Sequence, residues 1–170
     1  MKKMKEKVLG VCLAALAVFA GGCGQGEEAA QAAVVEEKDE AAEAKPVKEI
    51  YEEIKQSVEL VSPVEMTDSF ISNYYGINPD KLEEYIFVMS EEATSAETVA
   101  IMKVKDEGDA GKIHAALQVV VDEKRGEMED YLPEQFEIVD KSSVKTKGSY
   151  VYLVISESAD VITGIIEKGI

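Results

Sequence analysis

Few residues in this chain of 170 could do chemistry. It has two cysteines, Cys12 and Cys23, a single histidine, His114, and 34 acidic residues. A thiol could be a catalytic nucleophile, half of a disulfide or the attachment point of another group. The sequence around Cys23 reads VFAGGCGQG and follows an apolar run near the N-terminus, so the role of Cys23 depends on what that run is.

The N-terminal 22 residues have the pattern of a secretory signal peptide. Residues 1–7 carry four lysines and one glutamate, residues 8–20 carry no charge, and Gly21 and Gly22 precede Cys23. A basic start, an apolar core and small residues at the end are typical of such a signal. The alternative is a short anchor helix, but the apolar run is shorter than the roughly 20 residues that span a bilayer.

The small residues before Cys23 resemble the lipobox of bacterial lipoproteins, although Ala20 stands where a leucine is usual. The resemblance implies that Cys23 receives a diacylglycerol, that cleavage falls between Gly22 and Cys23, and that the protein is anchored on the extracytoplasmic face of the cell membrane. Two acyl chains give stable anchoring where one does not. Cleavage would also remove Cys12, so no second thiol would remain for a disulfide.

The charge of the chain excludes one class of partner. The formal net charge is −16, and it becomes −19 without residues 1–22, which hold four lysines and one glutamate. A nucleic-acid-binding protein needs a basic surface that displaces counterions from phosphates, so we expect no nucleic-acid partner. The membrane partner would be reached through lipid and not through a polybasic patch.

The remaining chain divides into a tether and a domain. Residues 23–46 begin with the lipidated cysteine and continue as a stretch rich in glutamate and alanine without aromatic residues. Low hydrophobicity with high charge predicts a disordered tether, and a partner-binding acidic segment is the alternative. Residues 47–170 are long enough for one buried core.

The hydrophobic pattern of residues 47–170 predicts an α+β fold. Helical spacing predicts helices over 47–60, 67–74, 110–132 and 159–168, and short apolar runs predict strands over 85–90, 98–105, 136–144 and 149–156. Thr67 or Asp68 caps the second helix, Gly76 ends it, and Pro79 begins a further turn. Two hairpins joined by a long helix predict a two-layer sandwich, with a four-stranded antiparallel sheet and the helices packed on one face.

Three stretches of the domain are similar to a known family. They are residues 97–106 (ETVAIMKVKD), 130–136 (DYLPEQF) and 147–156 (KGSYVYLVIS). On these stretches the chain resembles the bacterial lipoprotein family called "domain of unknown function 4358". The resemblance implies a lipid-anchored domain but no known activity and no catalytic residues.

The residues alone do not predict a catalytic or metal site. His114 has no second histidine and no surviving thiol nearby for zinc, and we interpret it as a surface residue. The sequence Asp106-Glu107-Gly108-Asp109 lacks the ligand spacing of an EF-hand loop and fits a turn followed by a helix start. Nucleophile and phosphate-loop signatures are missing from the sequence, so we expect no cofactor and no metal.

Aromatic residues are the best candidates for a binding surface. Tyr85 and Phe87 alternate on one predicted strand and Tyr150 and Tyr152 on another, so the four could form a platform on an open sheet face; packing in the core is the alternative. Tyr74 and Tyr75, in a predicted loop region, are a second candidate. We therefore expect a non-enzymatic binding domain for an unidentified envelope protein or ligand. The alternative is a hydrolase acting on cell-wall or extracellular polymer.

Overall fold

The structure is a computed structural model that describes residues 44–170. The predicted signal peptide, the cleavage site at Gly22 and Cys23, and the tether up to residue 43 lie outside the described residues. Within residues 44–170, five α-helices and five strands follow one another along the chain in this order: α1 (Val47–Ser57), β1 (Pro63–Glu65), α2 (Asp68–Tyr75), β2 (Leu82–Ser90), β3 (Thr98–Val104), α3 (Ala110–Met128), α4 (Pro133–Lys141), β4 (Lys145–Lys147), β5 (Tyr150–Ile155) and α5 (Ala159–Gly169).

The five strands form one antiparallel sheet in the order β1-β2-β3-β5-β4. The sequence predicts the hairpin of β2 and β3, and the structure confirms it with Tyr85 opposite Met102 and Phe87 opposite Ala100. β3 and β5 lie in the interior of the sheet, where nearly every residue is buried. The α+β class is therefore confirmed, with five strands in place of the predicted four.

Helices cover both faces of the sheet, so the prediction of helices on one face is wrong. α2, α3 and α4 pack on the face that carries Ala100 and Met102, while α1 and α5 pack on the face that carries Val99 and Ile101. Successive side chains of a strand point to opposite faces. Because β3 is apolar at both sets of positions, each face needs a cover of helices.

The segment predicted as a strand over 136–144 is a helix instead. Pro133 does not end α3, which stops at Met128; it occupies the first turn of α4. Phe136 and Val139 both pack into the core that contains the buried face of α3. These two residues are three positions apart, and residues at this spacing lie on the same face of a helix. The second hairpin therefore pairs β5 with the short strand β4 only.

The sequence correctly predicted how α2 begins and ends and where the next turn starts. The hydroxyl of Thr67 accepts a hydrogen bond from the backbone N–H of Phe70 and caps α2. Gly76 ends α2 in the left-handed conformation with φ 65°, which a residue without Cβ adopts at little cost. Pro79 opens a short 3-10 turn over Pro79–Lys81. Each of these three predictions is confirmed.

The two ends of the described chain lie side by side. The backbone N–H of Lys45 donates to the carbonyl of Gly169 at 2.8 Å. Lys147, at the end of β4, donates through Nζ to the carbonyl oxygens of Glu167 at 3.2 Å and Ile170 at 2.8 Å. The chain therefore enters the domain beside the C-terminal end of α5 and the end of β4.

No helix among residues 44–170 combines the length and the apolar composition that crossing a membrane requires.

Candidate functional site

The four strand aromatics do not form the predicted platform. Tyr85 and Phe87 lie on the sheet face under α2 and α3, whereas Tyr150 and Tyr152 lie on the opposite face under α1 and α5. Phe87 is 1% exposed, and Tyr150 and Tyr152 are buried too. The register explains this result, because Phe87 pairs with Ala100 while Tyr152 pairs with Ile101, the next residue along β3.

Two of these tyrosines attach helices to the sheet through carboxylates. The Tyr85 hydroxyl donates to Asp68 at the start of α2, and the Tyr152 hydroxyl donates to Glu167 near the end of α5 at 2.9 Å. Burial, followed by the bond to the carboxylate, raises the pKa of both tyrosines to about 12. Both phenols therefore stay protonated donors at neutral pH, in structural positions.

The Tyr74 and Tyr75 pair lies at the end of α2 and not in a loop. Phe70 stacks on Tyr74, with ring centroids 4.7 Å apart, and Tyr75 reaches the core at 5.7 Å from the Phe87 ring. Tyr74 is 72% exposed, so it is the member of the predicted set that solvent reaches most freely. Tyr75 is half-buried and packs against the core.

A concave site lies at the edge of β5, between the end of α4 and the start of α5. Its volume is about 320 Å³, at the lower end of the range of ligand pockets. β4 pairs with β5 only from Lys145 opposite Tyr152 to Lys147 opposite Tyr150. The part of β5 beyond Tyr152 therefore has no strand on this side, and the cleft occupies that position. Tyr152 is the one predicted aromatic residue that lines it.

The two ends of this β5-edge cleft carry opposite charges. Lys141 and Lys145 lie at the end next to β4, and Glu157 and Asp160 lie at the end next to the start of α5. Hydroxyl groups and apolar side chains line the space between them: Ser142, Ser143, Ser156, Thr163, Ile138 and Val154. This arrangement suits a ligand with apolar and hydrogen-bonding groups in the middle and charged groups at its ends.

A smaller hollow of about 120 Å³ adjoins the cleft and shares Ile138, Ser156 and Glu157 with it. There the carboxylate of Glu97 accepts from the Ser156 hydroxyl at 2.6 Å and from the backbone N–H of Val61. Glu97 therefore holds the end of β5 and the chain before β1 together. Its carboxylate is committed to these donors, so its role here is structural.

The residues considered for metal binding have structural partners. His114 Nδ1 lies 3.1 Å from the Thr146 hydroxyl, and Asp106 accepts from the backbone N–H of Gly108 at 2.9 Å. Asp109 forms ion pairs with Lys112 at 2.8 Å and Lys81 at 3.4 Å. Within residues 44–170, histidine, cysteine and acidic side chains form no cluster that could hold a metal ion.

Sequence reasoning missed the β5-edge cleft because no residue in it stands out by type. One signal was available: no acidic residue occurs between Asp140 and Glu157, although the chain as a whole is strongly acidic. That stretch contains β4, β5 and Lys141, Lys145 and Lys147. The remaining lining comes from α4 and α5, which only the folded chain brings together.

The fold and the cleft define a class of protein: a small α+β domain in which an open antiparallel sheet lies between two layers of helices. Residues 56–156, more than half of the chain, match the family model described as "Domain of unknown function (DUF4358)". The chain belongs to this family, and the predicted resemblance is confirmed. The match runs from the end of α1 to the end of β5. No curated protein and no solved structure matches the chain.

Proposed function

We propose that this protein is a lipid-anchored, non-enzymatic binding domain on the extracytoplasmic face of the cell membrane. The N-terminal pattern ending in Cys23 supports the anchor, and the acidic segment after it supports a spacer between lipid and domain. The observation that carries the binding role is the β5-edge cleft, where a sheet edge without a partner strand meets side chains of both charges. The ligand is a molecule of the cell envelope.

The anchor predicts a lipid on Cys23. Cys23→Ala should abolish labelling of the protein with radioactive palmitate and leave a precursor that still carries residues 1–22, because the thiol is the acceptor of the diacylglycerol. Cys12→Ala is the matched control, since it removes the other cysteine and should leave labelling intact. Labelling that persists in Cys23→Ala would overturn the anchor.

The binding role predicts a partner at the cleft in living cells. A photo-crosslinking amino acid at Ser143, in the cleft lining, should yield an adduct whose partner can be identified by mass spectrometry. The same amino acid at Ala115, exposed on α3 outside the cleft, is the control and should yield none. Equal adducts from both positions, or none from Ser143, would contradict binding at this cleft.

The hydrolase alternative makes a different prediction. The purified chain would then release soluble products from cell-wall or extracellular polymer. Such release by the purified chain, lost when the cleft lining is altered, would contradict the non-enzymatic proposal.

A further inference from the structure

The edge of β5 that faces the cleft offers backbone hydrogen-bonding groups at Val154. The Ser149 carbonyl accepts from the N–H of Val104 in β3, so Ser149 and every second residue after it turn their backbone groups toward β3. Tyr150, Tyr152 and Val154 therefore turn theirs toward the other side. In the part of the chain that the structure describes, β4 pairs with the first two of these residues only. The N–H and C=O of Val154 thus face the cleft, where an added strand can bond to them.

The cleft lies beside the sheet, between its two layers of helices. Ile138 on α4 packs against the core of one face, Ala159 on α5 packs against the core of the other, and both residues line the cleft. A strand placed beside β5 would point alternate side chains toward α4 and toward α5. An extended peptide fits this site, because its backbone bonds to the free edge while its side chains contact both helices.

The short strand β4 limits where such a peptide can end. β4 runs antiparallel to β5 and begins at Lys145, opposite Tyr152. A peptide in line with β4 enters beside Ser156, passes Val154 and has to stop or turn away before Lys145, because β4 occupies the edge from there on. A peptide whose last residue lies opposite Val154 meets this limit without a turn. Its C-terminus then lies at the end of the cleft next to β4.

The charges of the cleft favour this direction. Lys141 and Lys145 lie at the end next to β4, where the terminal carboxylate of the peptide would be. Lys141 is 78% exposed and its ion pair with Glu137 is long, at 3.5 Å, so it is available to a further carboxylate. Glu157 and Asp160 lie at the opposite end and would attract a basic side chain upstream in the peptide. The reverse direction would turn the N-terminus toward the two lysines and lose this complementarity.

We propose that the β5-edge cleft binds the C-terminal end of a partner protein of the cell envelope, as a short strand antiparallel to β5. The last residue pairs with Val154, whose N–H donates to the terminal carboxylate, and Lys141 and Lys145 neutralise that carboxylate. A basic side chain upstream in the peptide faces Glu157 and Asp160. The inference rests on the binding role proposed for the cleft and names the chemistry of its ligand.

The test is fluorescence anisotropy with a labelled peptide and the purified full chain in mild detergent. The probe is fluorescein-GRTVV, which combines strand-forming residues with one basic residue, and it is compared as the free acid and as the C-terminal amide. The free acid should bind roughly tenfold tighter or more, because a hydrogen bond to a charged group contributes more than one to a neutral group. Equal affinity of the two forms, or no binding of either at millimolar concentration, would overturn the proposal.

A pair of lysine variants tests the position of the carboxylate. Lys141→Glu should reduce the preference for the free acid several-fold, because the terminal carboxylate would then face a negative charge. Lys141 lies in the last turn of α4 with its side chain exposed, so the change does not threaten folding. Lys48→Glu, at an exposed position of α1, makes the same change of charge and should keep the preference. Equal preferences in the two variants would contradict the proposed position.

Hydrogen exchange followed by NMR tests whether the peptide adds a strand. Saturation with the free acid should slow exchange of the Val154 amide roughly tenfold or more, because the amide gains a hydrogen bond. The Glu65 amide at the opposite edge of the sheet is the matched control. The N–H of Met66 donates to the carbonyl of Phe87 in β2, so Glu65 turns its own N–H away from the sheet, and its exchange should not change. Binding without protection of Val154 would overturn strand addition.

Failure of this inference and failure of the proposed function give different results. The photo-crosslinking amino acid at Ser143 captures a ligand in the cleft whatever its chemistry. An adduct at Ser143 without any preference for the free acid would overturn the C-terminal peptide and leave the binding role intact. Absence of the adduct in living cells would contradict the binding role itself.

Discussion

Asp109 shows how a single carboxylate can connect two elements of this fold. It lies directly before α3 with its side chain only 12% exposed, and it forms ion pairs with Lys112 on α3 and with Lys81 at the end of the 3-10 turn. The hydrogen bond from Lys112 is the main cause that lowers the pKa of Asp109 below its ordinary value of 3.8, and the bond from Lys81 adds to it. The ionised carboxylate therefore stabilises the folded chain.

We expect Asp109→Asn to lower the free energy of unfolding at pH 7. The folded pKa is lowered, so this stabilisation is fully present above about pH 5 and is lost as the pH falls through the folded pKa. The difference between the unaltered chain and Asp109→Asn should therefore shrink between pH 5 and the acid limit of folding, measured by urea denaturation. Asp130→Asn, at an exposed position between α3 and α4, should change little. A difference that is constant with pH would contradict the ion-pair explanation.

Residue types and local spacing were enough to predict the caps of α2 and the conformation of Gly76, because these signals act within four residues along the chain. They were not enough for Tyr85, Phe87, Tyr150 and Tyr152. The sequence correctly predicted that each pair shares a side of its own strand. Which face that side joins depends on the register between strands, and this is not a local property.

At the scale of elements, α1 and α5 pack together at one tight contact. A Cβ added at Gly169 would lie 2.8 Å from both Cγ1 and Cδ1 of Ile50, which is fully buried in α1. At Gly164, on the same helix, an added Cβ would meet no atom within 4 Å. Packing therefore requires glycine at position 169, whereas nothing in the fold requires glycine at position 164.

Gly169→Ala should lower the free energy of unfolding by about 1–3 kcal/mol, the usual cost of overpacking. Gly164→Ala should raise it by roughly 0.5–1 kcal/mol, because alanine has the higher helix propensity. Both can be measured by chemical denaturation. Adding Ile50→Val removes Cδ1, so the double variant with Gly169→Ala should be more stable than the sum of the single effects predicts. Simple additivity would show that Cδ1 of Ile50 does not cause the steric conflict.

The error at α4 has a physical cause. Phe136, Ile138 and Val144 read as a short apolar run, and a run of that length does not distinguish a strand from a buried helix. In the structure, Val139 and Phe136 face the core beside α3, and Arg125 of α3 reaches Asp140 of α4 at 3.3 Å. Contacts with α3 decide the conformation, and these come from residues well separated in sequence.

At the scale of the whole molecule, one sheet separates two apolar cores. Leu117 on α3 belongs to the first core and Ile54 on α1 belongs to the second, and both are fully buried. The backbone of β3 is common to both because its alternate side chains enter opposite cores. Loss of either core would leave half of that strand exposed, so we expect the cores to unfold together.

Leu117→Ala and Ile54→Ala should each lower the free energy of unfolding by about 2–5 kcal/mol, the usual range for buried large-to-alanine changes. Each variant should still unfold in a single transition that tyrosine circular dichroism and amide exchange report alike. Val161→Ala, at a half-exposed position of α5, is the control and should cost far less. Two separate transitions in either variant would mean that the cores are independent.

The β5-edge cleft is a property of the whole molecule, and the sequence could not predict it. Its lining comes from α4, β5 and α5, which the strand order and the early end of β4 bring together. The family resemblance, by contrast, could be found from sequence, because it depends on contiguous stretches of the chain, two of which contain the buried strands β3 and β5.

The side-by-side chain ends have a mechanical consequence. The described chain begins beside the Tyr150 end of β5, where Lys45 bonds to Gly169, whereas the cleft lies at the Ser156 end. A force between a membrane anchor and a ligand in the cleft would therefore run parallel to β5. The hydrogen bonds that join antiparallel strands lie perpendicular to them, so such a force would shear the β3–β5 bonds together and not peel them apart in turn. A domain pulled in this direction would resist unfolding and retain a ligand in the cleft under tension.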